Sequence, residues 1–393
     1  MKDGRAEIKM RIVHVCPPTV SGTFHPGGVE TYVYELAKCL TSRGHEVAIY
    51  TSHMAQNPDR KVNEIEMHYF PVLEPSDYPV FLQESRIVCT ITERMWLPKH
   101  LFTYFNRLSE EHDVLHMHGH EYISNFLATL AAKKGRIPTV LTIHGSEIGI
   151  ESLLPVHLLR KIARRTTFFF TIHSADAIIA SNDLAVNLTM KYQPKQVVEI
   201  PLGIDLDRYE NHDLNPEYVL FLGRLFPEKG AEIFIRSIPH VLKKTEINFV
   251  IAGYGPQRSF LEELSNKLGV NEYVTFLGKV PHDEVPSVMS RAFVMVAPGN
   301  AAYTLLEAAS MNVPIVSAKL AWNVSTIGED NALFVEPGNE KALAEAIMKI
   351  LSNHKLAEDL SKRAKRYVVA NRSWKVLVPR FERLYKQVLE GKS

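Results

Sequence analysis

Cysteine is scarce in this chain. Its three, Cys16, Cys39 and Cys89, stand far apart with no CxxC pair, which argues against a zinc site or a disulfide framework and fits a reducing compartment. Long apolar runs are missing too. No stretch approaches the roughly 18–20 residues needed to cross a bilayer. The opening MKDGRAEIKMRIVHVC mixes charges and runs straight into a strand pattern, so it does not read as a signal peptide. A cytoplasmic protein is expected, with a peripheral place on the inner face of the membrane as its variant. Charge of one sign is lacking as well: 45 Lys and Arg against 44 Asp and Glu leave +1. That balance excludes a partner held by bulk electrostatics, nucleic acid above all. No G-x-G-x-x-G follows the first strand, so the dinucleotide fingerprint is absent.

What is present is ordinary for a soluble globular chain, with 46% hydrophobic and 23% charged residues. At 393 residues it exceeds the size at which one core stops growing, so two domains are expected. Strand and helix patterns alternate along nearly the whole length, which indicates an α/β architecture with parallel sheets. In the first half RIVHVC, EVAIYTS, DVLHMHG, TVLTIHG and ADAIIAS read as strands. The helix ETYVYELAKCLTSRG ends at Gly44, and another runs from about Tyr122 to Lys134. The pattern restarts with YVLFLGRL, INFVIAGYG, YVTFLGKV and AFVMVAPG, each followed by a helical segment. The join falls in the polar stretch from Ile200 to Glu217. The expected layout is two Rossmann-like doubly wound domains facing across a cleft, 1–203 and 204–372. The helix over 373–393 is expected to pack back on the first. Ligands of such sheets bind outside the carboxyl ends of the strands.

Several strand ends carry chemistry. In VMVAPGNAAYTLLEAASMNVPIV a strand and a Pro-Gly turn lead into a helix bearing one acid, Glu307, among Leu305, Leu306, Ala308 and Ala309. A helix start attracts anions and a carboxylate accepts from sugar hydroxyls, so the segment suits a sugar joined to a phosphate; its plainer reading is a core helix with one solvated acid. Arg224 and Lys229, flanked by Gly223 and Gly230, put two cations five residues apart after a strand, a pair that suits a diphosphate; its plainer reading is two solvated surface cations. Gly253-Tyr254-Gly255 is weak by itself. The stretch around Val280 offers backbone to a nucleobase. In the first half Pro26-Gly27-Gly28-Val29-Glu30 opens a helix where backbone N–H groups can meet a phosphate or sugar. The run His116-Met117-His118-Gly119-His120 resembles a metal site, but with no fourth ligand nearby it reads better as a histidine orienting a substrate hydroxyl near neutral pH. His144-Gly145 belongs to the same rim. The segment 157–174, with Arg160, Lys161, Arg164 and Arg165 beside Phe168, Phe169 and Phe170, suits an anionic membrane surface; its plainer reading is a helix running into a buried strand.

Taken together, GGVETYVYELAKCLTSRGHEV, DVLHMHG, LTIHG, ADAIIAS, LGID, FLGRLFPEKG, FVIAGYGP, FLGKVP, APGNAAYTLLEAASMNVPIV and ALFVEPGN resemble the retaining glycosyltransferases of family 4, the group 1 transferases with the GT-B fold. The resemblance covers nearly the whole chain. It implies a C-terminal domain for a UDP- or GDP-sugar, an N-terminal domain for a lipid-linked or saccharide acceptor, and no cofactor or metal. It implies that Arg224 and Lys229 hold the donor diphosphate and stabilise the departing charge. Glu307 would bind the ribose, with Leu305 and Leu306 backbone near the phosphates, Gly253 at the same strand ends, and Val280 at the base. Gly27 and Gly28 would lie against the diphosphate or acceptor, and His118 would contact the transferred sugar, with His144 and Gly145 beside it. Retention by front-face attack needs no protein nucleophile. The chain departs from the family at Gly299, where a second Glu is usual eight residues before Glu307. It departs again at Ala302 and Asn312, where Gly is usual, and in AWNVSTIGED, which replaces a glycine-rich loop. The alternatives are a catalytically idle sugar-nucleotide-binding protein, or another GT-B enzyme such as a sugar-nucleotide epimerase.

Overall fold

The computed structural model describes residues 9–16, 28–53, 60–71, 101–110, 112–119, 123–144, 166–210 and 212–391. The chain divides into two compact units, Met1–Pro201 with Leu377–Ser393, and Leu202–Val376.

The first unit is built on an eight-stranded sheet in the order β3-β4-β2-β1-β5-β6-β7-β8. Its strands are β1 Arg11–Val15, β2 Glu46–His53, β3 Arg60–Val62, β4 Ile65–Pro71, β5 Val114–His118, β6 Thr139–Ile143, β7 Ala177–Ala180 and β8 Val197–Glu199. Every neighbouring pair is parallel except β3 with β4. Strands such as β5 and β6 are buried along their whole length, as a sheet covered on both faces demands. The helix Gly28–Ser42 follows β1 and stops before Gly44, whose φ of +92° is the left-handed turn that ends a helix. After β1 the chain places β2 on one side and β5 on the other. The point where strand order reverses therefore lies between β1 and β5, with a crevice outside their carboxyl ends.

The helix Trp374–Glu390 continues through Pro379, and its residues from Leu377 onward group with the first unit. Phe381 and Tyr385 are wholly buried. Glu382 accepts a two-pronged bond from the Arg43 guanidinium at 2.6 and 2.9 Å. Each such buried aromatic contributes about 1.5–3 kcal/mol relative to exposure. That exceeds what a partly exposed ion pair gives.

The second unit holds a six-stranded, all-parallel sheet in the order β11-β10-β9-β12-β13-β14. Its strands are β9 Tyr218–Leu222, β10 Asn248–Ala252, β11 Val274–Gly278, β12 Ala292–Ala297, β13 Ile315–Ala318 and β14 Leu333–Val335. Phe221, Phe234, Phe249 and Ile251 belong to the core on one face, and Leu305, Leu306 and Met311 to the core on the other. The carboxyl ends of three strands are stitched together by backbone: Gly223 donates to Ala252 at 2.9 Å and Gly253 to Gly278 at 2.7 Å. A Cβ at Gly253 would stand 1.8 Å from the Gly223 oxygen, so that position accepts glycine alone. Here the strand order reverses between β9 and β12.

Candidate functional site

In the second unit the reversal point brings the loop after β9 next to the turn after β12. That turn, Pro298-Gly299-Asn300, leads into the helix Ala302–Ser310, whose N-cap residue Ala301 supplies no side-chain cap. The Ala301 N–H is taken by Asn323 Oδ1 at 3.2 Å, and the Leu305 N–H is spent on Ala301 O at 3.0 Å. Leu305 and Leu306 are wholly buried one turn inside the helix. The helix start, where an anion is favoured, is the first turn, Ala302 to Thr304, directly before the two leucines expected beside the phosphates.

Glu307 lies on the same helix with 4% of its surface exposed. Its Oε1 accepts from the Tyr209 hydroxyl at 2.9 Å and contacts His282 Nε2 at 3.1 Å. Arg208 in turn touches the His282 ring. Both bonds fall on one oxygen, which leaves Oε2 for a ligand. Burial pushes the carboxyl up to about 7, opposed by the Tyr209 bond and the Arg208 charge. Near neutrality such a group both accepts and donates. Tyr209 and His282 were missed from sequence, although a buried acid demands donors and both flank expected features, the LGID linker and Val280.

Arg224 is exposed just past β9, its guanidinium 5.2 Å from the Phe226 ring centre. Lys229 closes the 3₁₀ turn Pro227–Lys229 and donates its ammonium to the Asn300 carbonyl at 2.7 Å. The Asn300 N–H reaches back to Glu228 O at 3.0 Å. The structure thus brings Lys229 against the turn that precedes the Glu307 helix, and leaves Arg224 at the solvent. A Cβ at Gly299 would lie 2.3 Å from Glu228 O and 2.5 Å from Lys229 C. The two turns pack backbone on backbone, and the acid usual in the family has no room. Asn323, wholly buried in the AWNVSTIGED segment, donates to Gly299 O at 2.9 Å and to Ser317 Oγ at 3.0 Å. A side chain there fastens the turn. Asn312 carries a φ of +57°, a left-handed conformation that Asn tolerates in place of glycine. Gly253 serves the backbone stitching, and Val280 is half-buried against the core.

The first unit gathers four histidines at its own reversal point. His14 on β1 pairs in register with His116 on β5, so alternation puts His14, His116 and His118 on one face. All three are wholly buried. His118, expected to contact the sugar, has both ring nitrogens occupied: Nε2 meets His14 Nδ1 at 2.9 Å and Nδ1 meets His144 Nε2 at 3.1 Å. His116 is fixed by the Tyr385 hydroxyl at 2.7 Å and Thr142 Oγ1 at 2.6 Å. Burial lowers His14 to about 3 and holds His116 and His118 well below the usual imidazole range, so all three rings are neutral at pH 7. His14, His116 and His118 each offer a nitrogen within 4.8 Å of the others. Tetrahedral zinc at 2.0–2.1 Å needs separations of about 3.3 Å, and as placed the rings hydrogen-bond one another and nearby hydroxyls. His14 was missed because one histidine inside an apolar strand gives no signal until the strand pairing is known.

Gly28 opens the first helix, while Gly27, His120, Gly145 and the basic residues Arg160, Lys161, Arg164 and Arg165 lie outside the described residues. Of the aromatic run, Phe168 is buried, Phe169 is 53% exposed, and Phe170 sits 4.5 Å from the Lys133 ammonium. Among the described residues no helix is long and apolar enough to cross a membrane.

Comparison with known proteins brings these sites under one heading. The model for glycosyl transferases group 1 matches residues 205–367, and that for Glycosyltransferase Family 4 matches 26–208. An uncharacterized glycosyltransferase of Methanocaldococcus jannaschii is 25% identical over 93% of this chain and 95% of its own. One subunit of the human phosphatidylinositol N-acetylglucosaminyltransferase is 25% identical over 97% and 77%. The phosphatidyl-myo-inositol mannosyltransferase of Mycobacterium leprae is 27% identical over 96% and 97%. Among solved structures, sucrose-phosphate synthase from Thermosynechococcus elongatus superposes with a TM-score of 0.76 at 19% identity, over 98% of this chain and 100% of the other. Anabaena HepE in complex with UDP does so with 0.73 at 16%, over 96% and 100%. With paired doubly wound units, a ligand-ready acid at one reversal point and both family models matched in order, the chain belongs to the group 1, family 4 glycosyltransferases and is a transferase enzyme of the GT-B fold.

Proposed function

We propose that this enzyme moves a hexosyl unit from a UDP- or GDP-sugar to a lipid-linked or saccharide acceptor, with retention and without a metal. The observation that carries the donor half is Glu307. Its Oε1 is held by Tyr209 and His282 while Oε2 is left over, on a helix whose uncapped first turn suits a phosphate. A ribose diol on Oε2 puts the diphosphate of the same nucleotide near that turn, with Lys229 and Arg224 as its cations. The leaving diphosphate gains charge as the glycosidic bond breaks, and the charges of Lys229, held on the Asn300 carbonyl, and of the exposed Arg224 stabilise it. They do the work that a divalent ion does elsewhere. In front-face attack the departing phosphate oxygen takes the acceptor proton, so no side chain need act as nucleophile. The acceptor is assigned to the first unit, around Gly27, Gly28, His118, His144 and Gly145. Relatives named for phosphatidylinositol glycosylation favour a lipid-linked acceptor, and the basic-aromatic stretch 157–174 is the part of this chain suited to an anionic bilayer.

The direct test is thermal unfolding in the presence of UDP, GDP and their hexose conjugates, with and without EDTA. A ligand that binds only the folded state raises the midpoint with concentration. One base is expected to do so equally in both buffers. No shift from any of them at millimolar concentration would sink the donor assignment. Stabilisation that vanishes with EDTA would remove its metal-free half.

A further inference from the structure

Glu307 ends a run of hydrogen bonds that starts at Arg208, and the chemistry of the two ends fixes the proton between them. The 3₁₀ turn Leu206–Tyr209 supplies Arg208 and the buried Tyr209. The loop after β11 supplies His282, two residues past Val280. Arg208 Nη1 meets the His282 ring at Nδ1 and stands farther from Nε2, at 3.3 Å. A guanidinium only donates, so the ring nitrogen beside it is bare. The His282 proton therefore sits on Nε2 and is given to Glu307 Oε1 at 3.1 Å. The Tyr209 hydroxyl donates to the same oxygen at 2.9 Å. A carboxylate oxygen has about two lone-pair sites, and on Oε1 both are taken. A vicinal diol that approaches this acid must place both of its hydroxyls on Oε2.

We infer that Tyr209 and His282, the latter oriented by Arg208, are positioning residues: by filling Oε1 they turn Oε2 of Glu307 into a double acceptor for the two ribose hydroxyls, and so make the site select ribonucleotides over deoxyribonucleotides. The inference rests on the reading of Glu307 as the ribose-binding acid. With two donors on Oε1, any proton that Glu307 itself holds belongs on Oε2, where it takes one of the two places. The grip is therefore complete only on the ionised acid. In the free fold the carboxyl sits at about 7. Hydroxyls donating to Oε2 favour the anion, so binding expels a proton, and ribose affinity rises as pH climbs through about 7 and then levels off. Loss of the Tyr209 bond, which holds the carboxyl down, moves that rise to higher pH. The titratable or charged groups around the acid are Tyr209 and Arg208 from the 3₁₀ turn and His282 from the loop. Tyr303, on the acid's own helix, lies 6.0 Å from the His282 ring.

The test is calorimetric titration of the full chain from pH 6 to pH 9. The ligands are UDP or GDP, whichever stabilises the wild type, and the 2′,3′-dideoxy form of the same nucleotide. The two share a base and a diphosphate, so the ratio of their affinities isolates the ribose grip. In the wild type that ratio should rise up to about ten-fold between pH 6 and pH 8. Tyr209→Phe and His282→Met should each lower it about ten-fold at pH 7, and Tyr209→Phe should shift its rise upward in pH. His282→Gln, whose amide N–H stands where Nε2–H was, should restore most of the ratio. Each variant should bind the dideoxy nucleotide as the wild type does, which reports an intact fold. In steady-state transfer the loss should fall on donor KM, with kcat at saturating donor close to the wild type. A ratio unchanged in both Tyr209→Phe and His282→Met overturns the positioning role. So does a loss that His282→Gln shares in full, or a Tyr209→Phe profile that rises at the wild-type pH. Glu307→Gln separates this inference from the reading beneath it. An unchanged ratio there removes the ribose contact itself, whereas a collapsed ratio beside intact ratios in Tyr209→Phe and His282→Met removes only the positioning pair.

Discussion

Replacing Glu307 by Gln should strengthen the second unit above neutrality while weakening nucleotide binding. In the fold the carboxyl sits at about 7, against 4.5 as its unperturbed value, because burial disfavours the anion. The folded state therefore holds a proton that the unfolded chain has released, and stability falls as pH rises from about 4.5 to about 7, then levels off. At 1.36 kcal/mol per pH unit the loss is about 3 kcal/mol by pH 8. Gln keeps a carbonyl oxygen for Tyr209 and His282 and has no charge to desolvate. It should match the wild type near pH 4.5 and exceed it by up to about 3 kcal/mol at pH 8, roughly 6–12 °C for a domain of this size. The measurement is calorimetric unfolding of both proteins at pH 5 and pH 8, paired with UDP and GDP titrations. A Gln variant that loses stability at pH 8 along with the wild type would show that the acid is not the origin of the slope. An unchanged nucleotide affinity would take Glu307 out of the site.

Arg224→Ala and Lys229→Ala should each cut kcat about 10²–10³-fold, as removal of a preorganised charge-stabilising donor does, with unfolding midpoints within a few degrees of the wild type; full activity in both refutes their assignment to the diphosphate. Gly299→Glu should fail to restore a sugar contact and should destabilise the second unit by about 1–3 kcal/mol or more through overpacking, which thermal melts and activity assays read together. Asn323→Ala leaves Gly299 O and the Ala301 N–H without their partner, for a loss of about 1–3 kcal/mol. Because it frees the turn that carries Asn300, a drop in donor affinity is also expected, and an unaltered affinity would show that the turn holds its place without that clamp.

Much of the layout was written in the pattern of the chain. Each apolar run ending in Gly, His or Ser became a parallel strand, and helix boundaries fell close to expectation, as with Ile123–Gly135. Those signals are local: periodicity, a left-handed Gly44, a Pro-Gly turn. The contacts that decide the site are not. Tyr209 meets Glu307 across 98 positions and His14 meets His118 across 104, and nothing within either segment announces the partner. Glu307 could be singled out because one acid in an apolar helix is conspicuous, whereas His14 in a strand of Ile and Val is only unusual. The start of the Glu307 helix is equally non-local, since Asn323 holds the Ala301 N–H from 22 residues away.

The backbone contact between the Pro298–Asn300 turn and the Glu228–Gly230 turn sets which mutational paths are open. Gly230 is bound by it as tightly as Gly299: its φ is +75°, and a Cβ there would fall 2.9 Å from Pro298 C. Neither glycine can change first without a collision, so no single step reintroduces an acid at 299. A library randomising that codon alone should return glycine, while one that covaries 228–230 with 299 has folded solutions to find. The turn at 299 is then locked by a main-chain fit rather than by one side chain, and placing an acid there means rebuilding two turns together.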